Sequence, residues 1–259
     1  MTVVGFEEDA RGIATVTLQR ADKRNAMSGE MISELSDAAA RIAGSSSIRV
    51  VVMAADGDVF CAGGDLNWMR TQMNADADTR RREAMALAMM LKSFNDLNVP
   101  VIGRVQGDAF GGGVGLMSIC DVVVADEGAK FGLTETRLGL IPATIGPYVV
   151  ARMGEAHARR VFFSSRVFDA SEARDLGLVA RVVPSAELSD AVEREVAPYF
   201  ACAPGAVGEA KALVRALGPV IDEAVISASV DALVTRWDSD EADEGTSAFF
   251  EKRPARWTR

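Results

Sequence analysis

Two glycine-rich turns contain residue types and spacing that could stabilise a negative charge. The first is V-F-C-A-G-G-D at residues 59–65, and the second contains the triplet Gly111-Gly112-Gly113. Each turn follows a strand-like apolar run, and a helix that begins after such a turn leaves backbone N–H groups unpaired. Each turn alone would equally suit close packing of a helix on a sheet. Together, at adjacent carboxyl ends of a parallel sheet, they favour a two-donor oxyanion hole.

A glutamate beyond the second turn could move a proton. Glu135 lies in F-G-L-T-E-T-R-L-G-L-I-P at residues 131–142, among apolar and small residues. Partial burial would raise the pKa of its carboxyl and let it exchange protons near neutral pH. The alternative is a surface pair with Arg137 or a helix-capping role. We expect Glu135 to be the acid-base group of the site.

The composition restricts the other chemistry that the chain can perform. Its 259 residues contain one histidine, His157, so a Ser-His-Asp triad is possible only there and zinc sites with several histidines are excluded. A formal net charge of -9 disfavours nucleic acid as the main partner. From Gly113 the glycine cluster reads G-x-G-x-x-S, and no G-x-x-x-x-G-K-[ST] string occurs, so nucleotide binding has weak support. We expect no metal site.

Cysteine usage and the absence of targeting segments indicate an intracellular protein. The three cysteines form no C-x-x-C pair and are odd in number, which is typical of reduced thiols. The N-terminal residues lack the basic and apolar segments of a signal peptide. No apolar run approaches the length of a membrane span. We therefore expect a cytoplasmic protein that does not bind membranes.

Hydrophobic periodicity predicts an α/β fold. A β-hairpin is expected at residues 3–18, and apolar runs at 48–53, 99–105 and 121–125 are typical of strands buried on both faces. Helical segments alternate with these strands, which indicates a parallel sheet with crossover connections. The last part of the chain is mainly helical. Its helix at 221–237 is apolar on two faces, which indicates burial in a core or at a subunit interface.

Motifs along nearly the whole chain occur in a recognisable order. They are F-C-A-G-G-D (60–65), G-D-A-F-G-G-G-V-G-L (107–116), F-G-L-T-E-T-R-L-G-L-I-P (131–142), A-R-D-L-G-L-V (173–179) and A-F-F-E-K-R-P (248–254). In order and spacing they resemble the enoyl-CoA hydratase/isomerase, or crotonase, superfamily. The resemblance implies a crotonase-like spiral of ββα units at 1–195. A helical C-terminal trimerisation region at 196–259 would complete the same unit.

The resemblance also implies a ligand and an assembly. Members of this superfamily act on acyl-CoA thioesters, so coenzyme A would be part of the substrate and no separate cofactor is expected. They assemble as homotrimers or as dimers of trimers. An acidic chain can still bind a polyanionic CoA, because a few local Lys or Arg side chains suffice.

Individual residues match the functional positions of the superfamily. The two backbone N–H groups that polarise the thioester carbonyl map onto Ala62 and Gly112, and the glutamate that protonates the α-carbon matches Glu135. The positions expected to contact the substrate are Ala62, Gly63, Gly64, Asp65, Gly112 and Gly115. The expected partners of the CoA phosphates are Lys23, Arg24 and Lys252.

One position departs from the pattern of the hydratases. Their second glutamate, which orients and activates water, would fall three residues after Gly112, where this chain has Gly115. Three alternatives follow. The chain is a hydratase whose water is held by another group, a Δ3-Δ2 enoyl-CoA isomerase that needs one glutamate, or a non-catalytic acyl-CoA binder.

A further resemblance favours the hydratase. The segments F-G-L-T-E-T-R-L-G-L-I-P-A-T-I-G-P-Y-V-V (131–150) and E-K-R-P (251–254) are similar to bacterial hydratases of the methylglutaconyl-CoA and carboxygeranoyl-CoA type, which tolerate the missing glutamate. The substrate's own distal carboxylate could place or deprotonate water, held by Arg137 or another cation. We therefore expect a hydro-lyase that adds water across the 2,3 double bond of an acyl-CoA, with a branched glutaconyl-CoA as the candidate substrate.

Overall fold

The computed structural model describes residues 2–258, and its strands belong to two sheets. The strands are β1 (Val4–Glu8), β2 (Ile13–Leu18), β3 (Val50–Ala55), β4 (Val59–Cys61), β5 (Val101–Val105), β6 (Asp108–Phe110), β7 (Val122–Asp126), β8 (Lys130–Gly132), β9 (Val167–Asp169) and β10 (Arg181–Val183).

Helices connect and cover the sheets. They are α1 (Gly29–Ala43), α2 (Leu66–Met73), α3 (Ala77–Asn95), α4 (Gly112–Ser118), α5 (Gly146–Phe162), α6 (Ala170–Asp175), α7 (Leu188–Val196), α8 (Pro204–Leu217), α9 (Glu223–Trp237) and α10 (Asp240–Glu251). Short 3-10 helices lie at Ala21–Lys23, Glu135–Leu138, Ser185–Glu187 and Ala197–Ala201. Within residues 2–258, none of the helices combines the length and the apolar character needed to cross a membrane.

The chain winds through the two sheets as a spiral. The larger sheet has the order β1-β2-β3-β5-β7-β10, and the smaller has the order β4-β6-β8-β9. Only β1–β2 and β8–β9 pair antiparallel among the described strands. The successive pairs β3–β4, β5–β6 and β7–β8 each add one strand to each sheet before the chain enters a helix. This arrangement confirms the predicted spiral of ββα units.

Strand β3 shows why the central strands read as continuous apolar runs. All six of its residues are buried. Val51 and Met53 belong to the core that α1 and α3 to α5 cover, whereas Val50 and Val52 face α7 on the other side of the sheet. Because successive side chains of a strand point to opposite faces, both faces must be apolar here. The predicted buried strands at 48–53, 99–105 and 121–125 are therefore confirmed.

The small sheet was missed at sequence level. Residues 56–65 read as a Gly- and Asp-rich loop, but Val59–Cys61 forms β4 and pairs with β6. Three-residue strands are too short to show an alternating pattern. The axis of helix α5 breaks at Gly154, which has a φ of 72°. A positive φ is accessible to glycine without the steric penalty of a Cβ.

The C-terminal helices pack against the part of the chain that carries Glu135. Helix α9 packs along α3, and α10 packs on the 3-10 turn Glu135–Leu138. The backbone of Gly139 packs directly against the backbone of α10, with no room for a side chain between them: an ideal Cβ on Gly139 would lie 2.2 Å from the Glu241 carbonyl oxygen. Two apolar faces were expected on α9. Val230, on one of them, is fully buried, whereas Val225, on the other, is 39% exposed. Burial of the second face in an interface stays a prediction, as does the division at residue 195.

Gly107 offers a test of how closely β4 and β6 must approach. An ideal Cβ at this position would lie 1.9 Å from the backbone carbonyl oxygen of Asp58. Gly107→Ala should therefore lower the free energy of unfolding by roughly 3 kcal/mol through overpacking against rigid backbone. Gly205→Ala is the matched control, because a Cβ there meets no atom within 4 Å. Urea unfolding of both variants gives the comparison, and equal stabilities would contradict the close approach.

Candidate active site

Glu135 is the acidic side chain at the centre of the site. It is the first residue of the 3-10 turn that follows β8, and its backbone carbonyl accepts the Leu140 N–H at 3.1 Å. Its Oε2 atom is buried and has no hydrogen-bond partner among residues 2–258. This burial raises the pKa of the carboxyl to about 7 from 4.5, because the charged form loses its hydration. The carboxyl can therefore both give and accept a proton near neutral pH.

The two glycine turns meet beside this carboxyl. An ideal Cβ on Gly111 would lie 3.0 Å from Glu135 Oε1 and 3.9 Å from Gly63 Cα. Both glycines have positive φ, 94° for Gly63 and 48° for Gly111. Their turns are thus conformations that L side chains rarely adopt, and the missing side chains let the two backbones and the carboxyl converge.

Gly112 supplies one of the expected amide donors. It is the first residue of α4, so its N–H has no acceptor within the helix, and it bonds to no other acceptor in the described part of the chain. Gly112 also lines the cavity described below. An ideal Cβ at Gly112 would lie 1.9 Å from Met27 Cε, so this side chain covers the backbone that presents the amide.

The expectation that Ala62 supplies the other donor is wrong. Its N–H donates to the carbonyl oxygen of Arg24 at 3.0 Å, which uses the only proton of this amide. The Ala62 residue does line the cavity, but it cannot donate from its backbone to a ligand without losing this bond.

Gly64, two residues later, carries the free amide of the first turn. The N–H of Met27 donates to Gly63 O at 2.8 Å, and the N–H of Asp65 donates to Met27 O at 2.9 Å. Met27 thereby fixes the peptides on either side of Gly64. The N–H of Gly64 itself has no acceptor within residues 2–258, and Gly64 lines the cavity. The two glycine turns therefore each present one free amide to the cavity, that of Gly64 and that of Gly112.

The donors and Glu135 open onto one cavity of about 450 Å³. Its walls are mainly apolar, as is usual for sites that bind the acyl part of a ligand. Apolar side chains that line it include Leu66, Met69, Leu87, Leu138, Leu233 and Phe249. These residues come from five helical segments, α2, α3, the 3-10 turn, α9 and α10, and sequence patterns marked none of them as part of a site.

Gly115 does not line this cavity, contrary to expectation. It is buried in α4, where an ideal Cβ would lie 2.5 Å from Ile145 Cγ2 and 3.4 Å from Leu91 Cδ1. The space for a longer side chain is thus occupied by apolar atoms. Glu135 is the only carboxylate among the described residues that line the cavity. The acid-base chemistry of the site must start from one carboxyl group of the protein.

The other predicted substrate contacts separate into two groups. Gly63 lines the cavity with its neighbours, whereas Asp65 does not. The Asp65 carboxylate caps α2 by accepting the Asn67 N–H at 2.8 Å and pairs with Arg20 at 3.0 Å, so its role in the structure is to hold the turn. The three cations expected to bind the CoA phosphates are exposed and lie outside the cavity lining: Lys23, Arg24 and Lys252. Their phosphate contacts stay a prediction.

The side chains near the cavity do not favour a reactive thiol or a metal site. The Cys61 thiol is buried beside the first turn, and burial raises its pKa to about 12, which keeps it protonated. Residues 2–258 contain no group of three or more His, Cys, Asp or Glu side chains that could hold a metal ion. Proton transfer at Glu135 and donation from backbone amides are the chemistry that the cavity offers.

Comparison with known proteins supplies the family. The enoyl-CoA hydratase/isomerase family profile matches residues 8–259. The chain belongs to this family. The methylglutaconyl-CoA hydratase of rat mitochondria is 30% identical to it, over 97% of this chain and 81% of the relative. The enoyl-CoA hydratase/isomerase assignment confirms the predicted superfamily and an enzyme acting on acyl-CoA.

Solved structures of enoyl-CoA hydratases agree with this assignment. A crystal structure of an enoyl-CoA hydratase from Mycobacterium avium superposes with a TM-score of 0.86 at 28% identity, with 100% of both chains covered. Another from Shewanella pealeana gives a TM-score of 0.81 at 34% identity, covering 98% of this chain and 96% of that one. The fold of this enoyl-CoA hydratase/isomerase family member is thus shared over its whole length.

The burial of Glu135 has a measurable effect on stability. Its pKa is raised in the folded protein, so the folded state binds this proton more tightly than the unfolded chain, and stability is lost as pH rises from 4.5 through about 7. Glu135→Gln stays neutral and avoids this loss. The difference in unfolding free energy between the variant and the parent should therefore grow by about 2 kcal/mol in favour of the variant as the pH is raised from about 5.5 to about 8.5.

Urea unfolding at several pH values measures this gain. Glu209→Gln, at an exposed residue of α8, is the matched control for removal of a carboxylate. A Glu135→Gln protein that gains no stability over the parent at high pH would show that the carboxyl is hydrated in the folded state.

Proposed function

We propose that this family member is a hydro-lyase that adds water across the 2,3 double bond of a glutaconyl-type acyl-CoA thioester. The observation that carries the proposal is the convergence of one buried carboxyl of raised pKa with two free amides in an apolar cavity. The proposal extends the family assignment to a substrate class, a thioester whose acyl chain ends in a second carboxylate. The name of the rat relative is consistent with such a substrate.

The free amides of Gly64 and Gly112 would bind the thioester carbonyl oxygen. Addition at the β-carbon turns this carbonyl into an enolate, so negative charge develops at the oxygen between the two N–H groups. Preorganised donors stabilise such a charge without reorganising, and removal of one donor costs about 3 kcal/mol of transition-state stabilisation. The acidic overall charge of the chain does not prevent this, because the donors act at hydrogen-bond distance.

Glu135 would deliver a proton to the α-carbon. A pKa of about 7 leaves a large fraction of the carboxyl protonated at neutral pH, as a general acid requires. Collapse of the enolate takes the proton from Glu135 and leaves its carboxylate, which solvent protonates again. Because the Glu135 Oε2 atom has no partner among the described residues, no bond to protein must break for this transfer.

The substrate would supply the second carboxylate. In a glutaconyl thioester the distal carboxylate is carried by the carbon attached to the β-carbon, so it can reach a water molecule that attacks there. The water oxygen bonds to the β-carbon, and one water proton passes to the distal carboxylate and then to solvent. The requirement for this help follows from Ile145, which fills the space beside Gly115.

Arg137 would hold the distal carboxylate. It lines the cavity, and its guanidinium donates to the Ser165 carbonyl oxygen at 3.0 Å. No Asp or Glu of residues 2–258 forms a salt bridge with it. The neighbouring Arg166, by contrast, is paired with Glu172 at 2.6 Å. A guanidinium without a carboxylate partner suits a planar carboxylate ligand.

A Δ3-Δ2 enoyl-CoA isomerase is the second candidate. One carboxyl that exchanges protons near neutral pH suffices to move a proton between two carbons, and Glu135 is the single carboxylate in the lining described above. The apolar surface of Ile145 beside Gly115 favours this reaction over the hydration of a substrate that lacks a distal carboxylate.

Two further proposals concern the oligomeric state of the protein and its location in the cell. We propose a homotrimer or a dimer of trimers, supported by large apolar side chains that the single chain leaves exposed on and after α8: Leu213, Val214, Leu217 and Val220. A cytoplasmic location is proposed from the cysteine pattern, and the buried thiols of Cys61 and Cys120 are free.

The products of defined thioesters distinguish the two reactions. Incubation with glutaconyl-CoA, crotonyl-CoA and a 3-enoyl-CoA, followed by mass spectrometry, should show a gain of one water with glutaconyl-CoA. Glu135→Gln should reduce this turnover by at least about a hundredfold, because the proton donor is lost, and should leave acyl-CoA affinity within severalfold. Equal hydration of crotonyl-CoA would rule out help from the substrate, and isomerisation without hydration would favour the second candidate.

Arg137 can be tested through affinity. Arg137→Gln should weaken binding of glutaryl-CoA, a saturated analogue with the terminal carboxylate, about tenfold, through loss of an ion pair of about 1 to 2 kcal/mol. Butyryl-CoA, which lacks the carboxylate, is the control ligand and should bind both proteins alike. Calorimetric titration measures both. A similar loss for the two ligands would assign Arg137 to general packing of the cavity instead.

A further inference from the structure

The attacking water needs a second partner. In the proposed function, on which the following assignment rests, the substrate carboxylate accepts one hydrogen of this water. A water held by one hydrogen bond can still rotate, whereas addition needs an oxygen lone pair directed at the β-carbon. An acceptor on the cavity wall would take the other hydrogen and fix this direction.

Helix α4 itself provides no such acceptor side chain. Gly115 lies three residues after Gly112, about 4.5 Å further along the helix axis. Ile145 and Leu91 cover Gly115 with apolar atoms, at 2.5 and 3.4 Å from an ideal Gly115 Cβ. Ile145 itself lines the cavity, so with the thioester oxygen at the Gly112 amide the reacting carbons would face this apolar wall. A polar group here must therefore come from the chain next to Ile145.

Thr144 carries a hydroxyl at the wall of the cavity next to Ile145 in the chain. It directly precedes Ile145, is partly exposed and lines the cavity. Its Oγ1 forms no hydrogen bond with any residue between 2 and 258. A hydroxyl has two lone pairs, so Thr144 can accept a hydrogen from water and still donate its own.

The backbone around Thr144 is fixed on both sides. The carbonyl oxygen of Ala143 accepts a hydrogen bond from Ser229 Oγ in α9, and that of Ile145 accepts the Tyr148 N–H at 3.1 Å. The β-branched side chain of threonine is itself restricted in χ1. A hydroxyl held this way loses little entropy when it binds a water molecule.

The other polar side chains of the cavity are placed less well for this task. Thr134 directly precedes Glu135 at the N-cap position of the 3-10 turn, so its hydroxyl belongs to the segment that carries the proposed proton donor. The indole N–H of Trp68 donates to Glu83 at 3.3 Å and cannot accept a hydrogen. The guanidinium of Arg137 likewise has only donors.

We propose that the hydroxyl of Thr144 binds the attacking water and directs its oxygen to the β-carbon. The water donates one hydrogen to Thr144 Oγ1 and the other to the distal carboxylate of the substrate. When the C–O bond forms, the second proton passes to that carboxylate, and the first stays on the new hydroxyl group. Glu135 supplies the proton that the α-carbon gains, so the elements of one water molecule are added.

Three variants and two readouts test this role. Thr144→Val removes the hydroxyl at nearly constant volume, Thr144→Ser keeps it, and Thr134→Val removes the other free hydroxyl of the cavity. The first readout is kcat for hydration of glutaconyl-CoA. The second is exchange of the α-protons of glutaryl-CoA in deuterated water, which uses Glu135 and the two amides but adds no water.

Thr144→Val should lower kcat for hydration roughly 10- to 100-fold, the usual effect of a lost hydrogen bond to a group that becomes charged. Its rate of α-proton exchange should stay within about threefold of the parent rate. The kcat of Thr144→Ser for hydration should likewise lie within about threefold of the parent value. This combination would establish the role, because a merely structural change would reduce both readouts.

Four results would overturn it. Unchanged hydration by Thr144→Val would remove Thr144 while leaving the proposed function intact. Parallel loss of hydration and exchange in both Thr144 variants would show a structural role. A loss of hydration confined to Thr134→Val would place the water at Thr134. Failure of the parent protein to hydrate glutaconyl-CoA would overturn the proposed function together with this role.

Discussion

The close approach of two glycine backbones is the constraint on which the rest of the site depends. An ideal Cβ on Gly63 would lie 3.2 Å from the Phe110 carbonyl oxygen, one on Gly111 would contact Gly63 Cα, and both glycines have φ values that disfavour side chains. Any Cβ at Gly111 would press on Glu135 as well. The positions of the free amides of Gly64 and Gly112 follow from this contact. An acidic protein thus obtains an anion-stabilising site from backbone geometry rather than from basic side chains.

The same close packing buries the carboxyl of Glu135. Its neutral form is favoured because the loss of hydration outweighs the one donor that compensates the charge, the backbone N–H of Glu135 itself, and Oε2 has no partner among the described residues. A carboxyl that is costly to ionise is unfavourable for stability above neutral pH, yet this property suits a proton donor. Stability and proton transfer therefore make opposite demands on one residue, and the fold satisfies the second.

Local sequence determined some parts of the site and not others. The buried strands, Gly112 at a helix start and Glu135 among apolar neighbours are local features, so periodicity and composition predict them. The choice between the amides of Ala62 and Gly64 is not local, because it depends on Arg24 and Met27 in an earlier turn. The loss of Gly115 from the cavity likewise depends on a side chain thirty residues later, Ile145. Hydrogen-bond partners and side chains distant in sequence decide such details.

The packing of α10 on the Glu135 turn has a consequence for the order in which the molecule is made. Gly139 meets Glu241 at backbone distance, and Gly245 meets Leu138 in the same way. A ribosome releases the Glu135 turn long before α10 exists, so the nascent cavity is open on that side. The apolar wall that includes Phe249 is synthesised more than a hundred residues after Glu135. The Glu135 turn therefore stays uncovered on this side until α10 has been made.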